Sequence, residues 1–150
     1  LLGSWRHMRR RAQIQGALVQ ETNFRRAMEN SMPTGMRAMD LEGRITYVNA
    51  AFCGMVGFGE SELIGRSPPF PYWPRDRIEE NSRLLQLELA GRSPSGGFEV
   101  RLMRKDGTQF DARMYISPLV DSKGVHTGWM TSVTNITEAK RIRDQLSASH

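Results

Sequence analysis

From Phe98 to Ser117 the chain is apolar at every second position, and this constrains the fold more than any other stretch. Phe98, Val100 and Leu102 alternate with Glu99, Arg101 and Met103. After Lys105-Asp106-Gly107-Thr108, Phe110, Ala112, Met114 and Ile116 alternate with Asp111, Arg113, Tyr115 and Ser117. A period of two is that of a strand buried on one face, and Asp-Gly between two such runs is a hairpin turn. A further turn at Asp121 to Gly124 leads to a last strand over 127–134, with Trp129, Thr131 and Val133 facing inward. In this register the inner wall is almost wholly apolar. Arg101 and Arg113 point outward beside Glu99 and Asp111, where cross-strand ion pairs form.

The N-terminal half carries a second hairpin followed by a capped helix, over 38–56. Asp40 to Gly43 is its turn, and Gly43 supplies the positive φ that a tight turn needs. Ile45, Tyr47 and Val48 form the return strand, and at Asn49 the period changes. Phe52, Met55 and Val56 recur at helical spacing, with Asn49 placed as N-cap.

Between the hairpins a short helix is expected around Glu60–Ile64, then a stiff loop, Ser67-Pro-Pro-Phe-Pro-Tyr-Trp-Pro74. Four prolines forbid regular pairing there, and Phe70, Tyr72 and Trp73 hang from the loop as a core lid or a pocket wall. A helix over 75–90 with Ile78, Leu84, Leu85 and Leu89 ends at Gly91 as C′ residue.

The chain's 150 residues suit one folded domain with flanking elements. Its net charge of +5 is concentrated at one end: Arg6, Arg9, Arg10 and Arg11 precede any acid, and removing those four from the 21 basic residues leaves 17 against 16 acids. A nucleic-acid domain carries its basic face in the folded part, so no nucleic-acid partner is expected. Leu1-Leu2-Gly3-Ser4-Trp5 followed by arginines reads as the cytoplasmic flank of a membrane helix, a solvated basic tail being the plainer alternative. The division expected is a juxtamembrane segment 1–11, a helix 12–32 stopped by Pro33, a core 33–137 and an exit helix 138–150. Ile14 and Leu18 on the first helix, and Ile142 and Leu146 on the last, are the apolar residues expected to pair across a homodimer.

Arg104-Lys105-Asp106-Gly107-Thr108, Phe110, Ser117-Pro118-Leu119, Asp121 and Gly124 together resemble the C-terminal half of PAS domains, and the hairpin with its capped helix resembles their opening. Thr134-Asn135-Ile136-Thr137-Glu138-Ala139-Lys140 is similar to the Asp-Ile-Thr-Glu-x-Lys boundary that joins such domains to an output helix, with Asn135 in place of the usual Asp. The resemblance covers roughly residues 24–140. It implies an α+β PAS fold: a five-stranded antiparallel sheet with helices on one face, flanked by terminal helices.

The resemblance also implies a non-enzymatic sensory and relay module, here of a membrane-bound bacterial sensor histidine kinase of the dicarboxylate-sensor type, with a kinase or other output domain downstream in the same chain. Its expected place is the cytoplasmic side of an inner-membrane protein. The alternative is a small-molecule-binding module of a chemoreceptor or a cyclic-dinucleotide enzyme. Asn135, Ile136 and Thr137 are the expected signal relay, with Thr137 able to cap the exit helix.

Catalytic and metal residues are not expected: the chain shows no Ser/His/Asp order, no paired histidines and no phosphate-binding glycine loop. Flavin-binding relatives place a reactive cysteine after the second helix, where this chain reads Gly65-Arg-Ser-Pro-Pro-Phe-Pro; the single Cys53 lies on the first core helix. Haem-binding relatives use a histidine on the long central helix, and residues 75–91 contain none. No cofactor is therefore expected. The interior is expected to be filled by its own side chains. A ligand, if one binds, would be small and apolar or aromatic. Its candidate contacts are Phe52, Met55, Ile64, Tyr72 and Trp73, with Phe98, Ala112, Met114 and Thr131 from the sheet.

Overall fold

The structure, a computed structural model, describes Asn23 and residues 34–148. Apart from Asn23, the expected helix over 12–32, with Ile14 and Leu18, therefore lies outside the described residues, as does the juxtamembrane segment. The unit described below comprises residues 34–148.

Strands β1 (Gly35–Asp40) and β2 (Ile45–Val48) form the first hairpin. Asp40 closes its turn, accepting at Oδ1 from the N–H groups of Glu42 and Arg44, while Gly43 sits at φ +89°. Helix α1 (Ala50–Val56) follows, and Asn49 caps it by accepting from the Phe52 N–H at 2.9 Å. The same oxygen accepts from the Met36 N–H and the Asn49 amide donates to the Thr34 carbonyl, so one side chain sews the start of β1 to α1.

A single turn, α2 (Glu60–Leu63), precedes the proline loop. That loop is pinned to the sheet's edge where the Met103 N–H donates to the Tyr72 carbonyl at 2.8 Å. It leads through a 3₁₀ turn, Arg75–Arg77, into α3 (Ile78–Leu89). Strands β3 (Phe98–Met103), β4 (Gln109–Val120) and β5 (His126–Asn135) and helix α4 (Thr137–Ala148) complete the unit. The antiparallel sheet runs β2-β1-β5-β4-β3, which brings the two hairpins together through β1 and β5.

The register bears out the alternation. Val100 faces Ala112 and Leu102 faces Phe110 on the buried side, while Glu99 pairs Arg113 (2.7 Å) and Arg101 pairs Asp111 (3.0 Å) outside. Strand β4 runs three residues beyond the expected end, through Pro118 to Val120. Proline is tolerated because β3 pairs β4 only as far as Met114, so at Pro118 one side of β4 has no strand to receive an N–H.

The aromatic residues of the proline loop are buried: Tyr72 stacks on Phe70 at 5.3 Å, and Phe52 meets Tyr72 edge-on at 5.3 Å. They close one end of a core shared by α1, α3 and the sheet.

Candidate functional site

The wall of the core is not wholly apolar, and this is the main correction to the reading from sequence. Arg37 lies on β1 two residues before Met39, opposite Thr131 of β5, and period-two geometry turns it inward. It is 2% exposed. Period two puts Arg37 on the same face as Met39, although Ala38 between them is buried too. Starting the strand at Ala38 left it out.

Helix α3 supplies the counter-charge. Its buried residues are Asn81, Leu85 and Glu88, one stripe at i, i+4 and i+7, and two of the three are polar. A search for apolar periodicity passes over such a stripe and finds Ile78 instead, which the structure leaves 36% exposed.

Arg37 Nη1 donates to the Tyr72 hydroxyl at 2.6 Å. Nη2 donates to Glu88 Oε1 at 3.1 Å and to Thr131 Oγ1 at 3.2 Å, and the Thr131 hydroxyl donates to the same Glu88 oxygen at 2.7 Å. Arg37 also lies 5.5 Å from the centre of the Phe70 ring. Four elements thus meet at one guanidinium: β1, the proline loop, α3 and β5. Its Nε, equally buried, has no partner among the described protein groups.

A buried ion pair adds little net stability, because desolvation cancels most of the attraction; losing one partner strands the other and costs about 3–5 kcal/mol. Burial works to lower the pKa of Arg37, but its contacts with Tyr72 and Glu88 outweigh it and the guanidinium stays charged. Burial pushes the Tyr72 phenol up to about 12 against the pull of Arg37, so at neutral pH it is an uncharged acceptor.

Beside this network lies a cavity of about 20 Å³ between α3 and strands β3 and β4. A space of that size holds roughly one water molecule. Of the expected contacts, Trp73, Phe98 and Met114 line it. Tyr72 and Thr131 join the network. Phe52 and Ala112 are buried in the surrounding core, and Met55 packs on it half-buried. Ile64 is 39% exposed at the end of α2 and lines no part of this cavity. Asn81, Glu88 and Arg37 line or hold the site without having been expected there.

The second candidate region is the junction of β5 and α4. The Ile136 N–H donates to the Asp111 carbonyl at 2.9 Å, and the Asp111 N–H donates to Thr137 Oγ1 at 2.9 Å. Asn135 Oδ1 accepts from the Thr137 N–H at 3.0 Å. The cap is therefore supplied by Asn135, while the Thr137 hydroxyl is turned toward β4, because Asp111 offers it a backbone donor. Further along, Lys140 lies 3.6 Å from Asp111, and Arg143 meets Glu99 at 3.0 Å. The hydrogen bond from Arg143 holds the Glu99 carboxyl below its usual range. Ile142 and Leu146 are 46% and 60% exposed.

A family model described as the PAS fold matches residues 23–136. The C4-dicarboxylate transport sensor protein DctS of Rhodobacter capsulatus is 44% identical over 136 residues, which are 91% of this chain and 21% of that protein. Sporulation kinase C of Bacillus subtilis (strain 168) is 26% identical over 105 residues, 70% of this chain and 24% of the kinase. The chain thus spans between a fifth and a quarter of the length of these relatives. Among solved structures, the PAS domain of an HTR-like protein from Haloarcula marismortui superposes with a TM-score of 0.67 at 22% identity, covering 83% of this chain and 99% of that one. An RNA-binding light-oxygen-voltage receptor gives a TM-score of 0.70 at 20% identity, over 88% of this chain and 37% of the receptor. These two likenesses concern the fold alone. By the family match and by the strand order, capped helix and closing junction described above, the chain belongs to the PAS family.

Proposed function

We propose that this chain is a cytoplasmic sensory and relay module of a two-component sensor histidine kinase of the dicarboxylate-sensor type. In this reading it is non-catalytic, and it passes a conformational change from the sheet to an output domain in the same chain through α4. The likeness to a transport sensor and a sporulation kinase supports the parent class. Among the described residues no helix is long and apolar enough to cross a membrane.

The observation that carries the relay is the pair of hydrogen bonds that ties the Asp111 backbone to the Ile136 N–H and the Thr137 hydroxyl. Asp111 belongs to β4, whose inner neighbours Phe110 and Ala112 are core residues. A change of core packing that shifts β4 therefore displaces the first turn of α4, and a rigid helix carries that displacement as rotation or tilt. Helical phase, rather than length, then sets the output. Inserting about seven residues after Lys140 keeps the apolar seam of a coiled coil on the same face, whereas about four rewinds it. In the full-length receptor the first insertion is expected to preserve regulated autophosphorylation and the second to lock or abolish it. A smooth decline with length, without a seven-residue period, would replace the rigid helix by a flexible tether.

A further inference from the structure

The guanidinium of Arg37 is incompletely used. A carboxylate binds an arginine best along one edge, with its two oxygens on Nε and Nη2. In this structure Glu88 touches that edge through a single oxygen on Nη2, which also donates to Thr131, and the buried Nε has no partner among the described protein groups. Arg37 and Glu88 both line the cavity, whose other walls include Leu84, Leu85, Phe98 and Val100.

We propose that Arg37 is a latent binding site for a short-chain monocarboxylate, and that Glu88 occupies it as an internal stand-in. The incoming carboxylate takes the Nε/Nη2 edge, Glu88 withdraws, and the short aliphatic body of the ligand lies among the leucine, phenylalanine and valine side chains of the cavity. One buried cation at the site accommodates one carboxylate, so a second carboxylate on the ligand would meet apolar walls and be disfavoured.

Withdrawal of Glu88 requires the last turns of α3 to move, where Leu85 is the one fully buried apolar side chain and Leu84 and Leu89 pack on the core half-buried. The cavity as it stands has room for about one water, so entry of the ligand and departure of the glutamate side chain are one exchange. That exchange unties α3 from β1 and β5 and gives the sensing half of the function proposed above a chemical input.

The test is an NMR titration of the 150-residue chain with butyrate to about 100 mM, well above a millimolar dissociation constant, following the Arg37 Nε–H resonance. Butyramide and succinate serve as comparison ligands. Butyrate is expected to shift that resonance, butyramide to leave it in place, and succinate to bind no better than butyrate. Glu88→Gln keeps the side chain's shape and removes the competing charge, and is expected to tighten butyrate binding about tenfold, equivalent to about 1.4 kcal/mol. Arg37→Lys, which lacks the planar fork, is expected to lose it.

No shift with wild type and with a cooperatively folded Glu88→Gln variant overturns the proposal, as does equal binding of butyrate and butyramide. Tighter binding of succinate overturns the monocarboxylate assignment. If Glu88→Gln does not fold, the wild-type titration decides alone. The assay contains no output domain, so its failure leaves relay through α4 standing.

Discussion

Arg37 shows how far one side chain can alter the reading of a core. Its charge is held by a glutamate, a tyrosine and a threonine from three other segments, so its environment is tertiary in origin. Tyr72 gives this network a measurable signature. Its phenol ionises near 12 in the folded protein, against roughly 10 in an unfolded chain. A pKa raised on folding contributes stability that is fully present below the unfolded value and is lost as pH rises through the folded one. Stability is therefore expected to fall between about pH 10 and 12, with the last tyrosinate absorbance appearing together with unfolding. In Tyr72→Phe that segment of the pH–stability curve should be flatter. An unchanged slope would mean that Tyr72 ionises in place, with no penalty from burial.

At the scale of elements, α4 differs from α1 and α3 in having no buried residue. It is held by the junction at 135–137 and by charge pairs that solvent reaches in part. Exposed pairs contribute roughly 0–1 kcal/mol each, so the helix owes little to its own domain. Ile142 and Leu146, one turn apart, lie on one face of it and are exposed. A second copy of the helix across a two-fold axis would cover them. Ile142→Lys with Leu146→Lys is expected to lower the dimer fraction seen by sedimentation while leaving the melting transition of the core in place. A wild-type chain that stays monomeric at high concentration would place the dimer contacts outside α4.

Elements elsewhere are fixed by close approach as much as by pattern. At Gly128 of β5 a Cβ would overlap the Met39 carbonyl, so β1 and β5 pair closely there only because the side chain is absent. Adding one would have to part the two strands that join the hairpins.

For the whole molecule, the proposed working state carries no flavin or haem. Cys53 is half-buried on α1 with its thiol pushed up by burial, a poor nucleophile, and the segment 75–91 contains no histidine. The purified chain is expected to be colourless, and a stoichiometric flavin or Soret band in the folded protein would refute this. The same composition bears on partners: with four of the five excess positive charges in residues 1–11, salt-dependent adhesion to nucleic acid is not expected of the core.

The strands, the hairpin turns, the Asn49 cap and the outward pairs Glu99–Arg113 and Arg101–Asp111 were legible in the sequence by itself. Each depends on residues two to four apart or facing one another across a short hairpin, and local periodicity specifies such relations. The family could be read for the same reason, since its motifs lie at turns. The tertiary structure alone decided that Arg37, Tyr72, Glu88 and Thr131 meet. They are separated by 35, 51 and 94 residues from Arg37, and no local period relates a strand arginine to a glutamate on a distant helix. It also decided that Ile64 lies at the surface and that Asn135, rather than Thr137, caps α4. Both outcomes depend on which backbone or side chain a neighbouring element presents, and packing, not spacing, settles that.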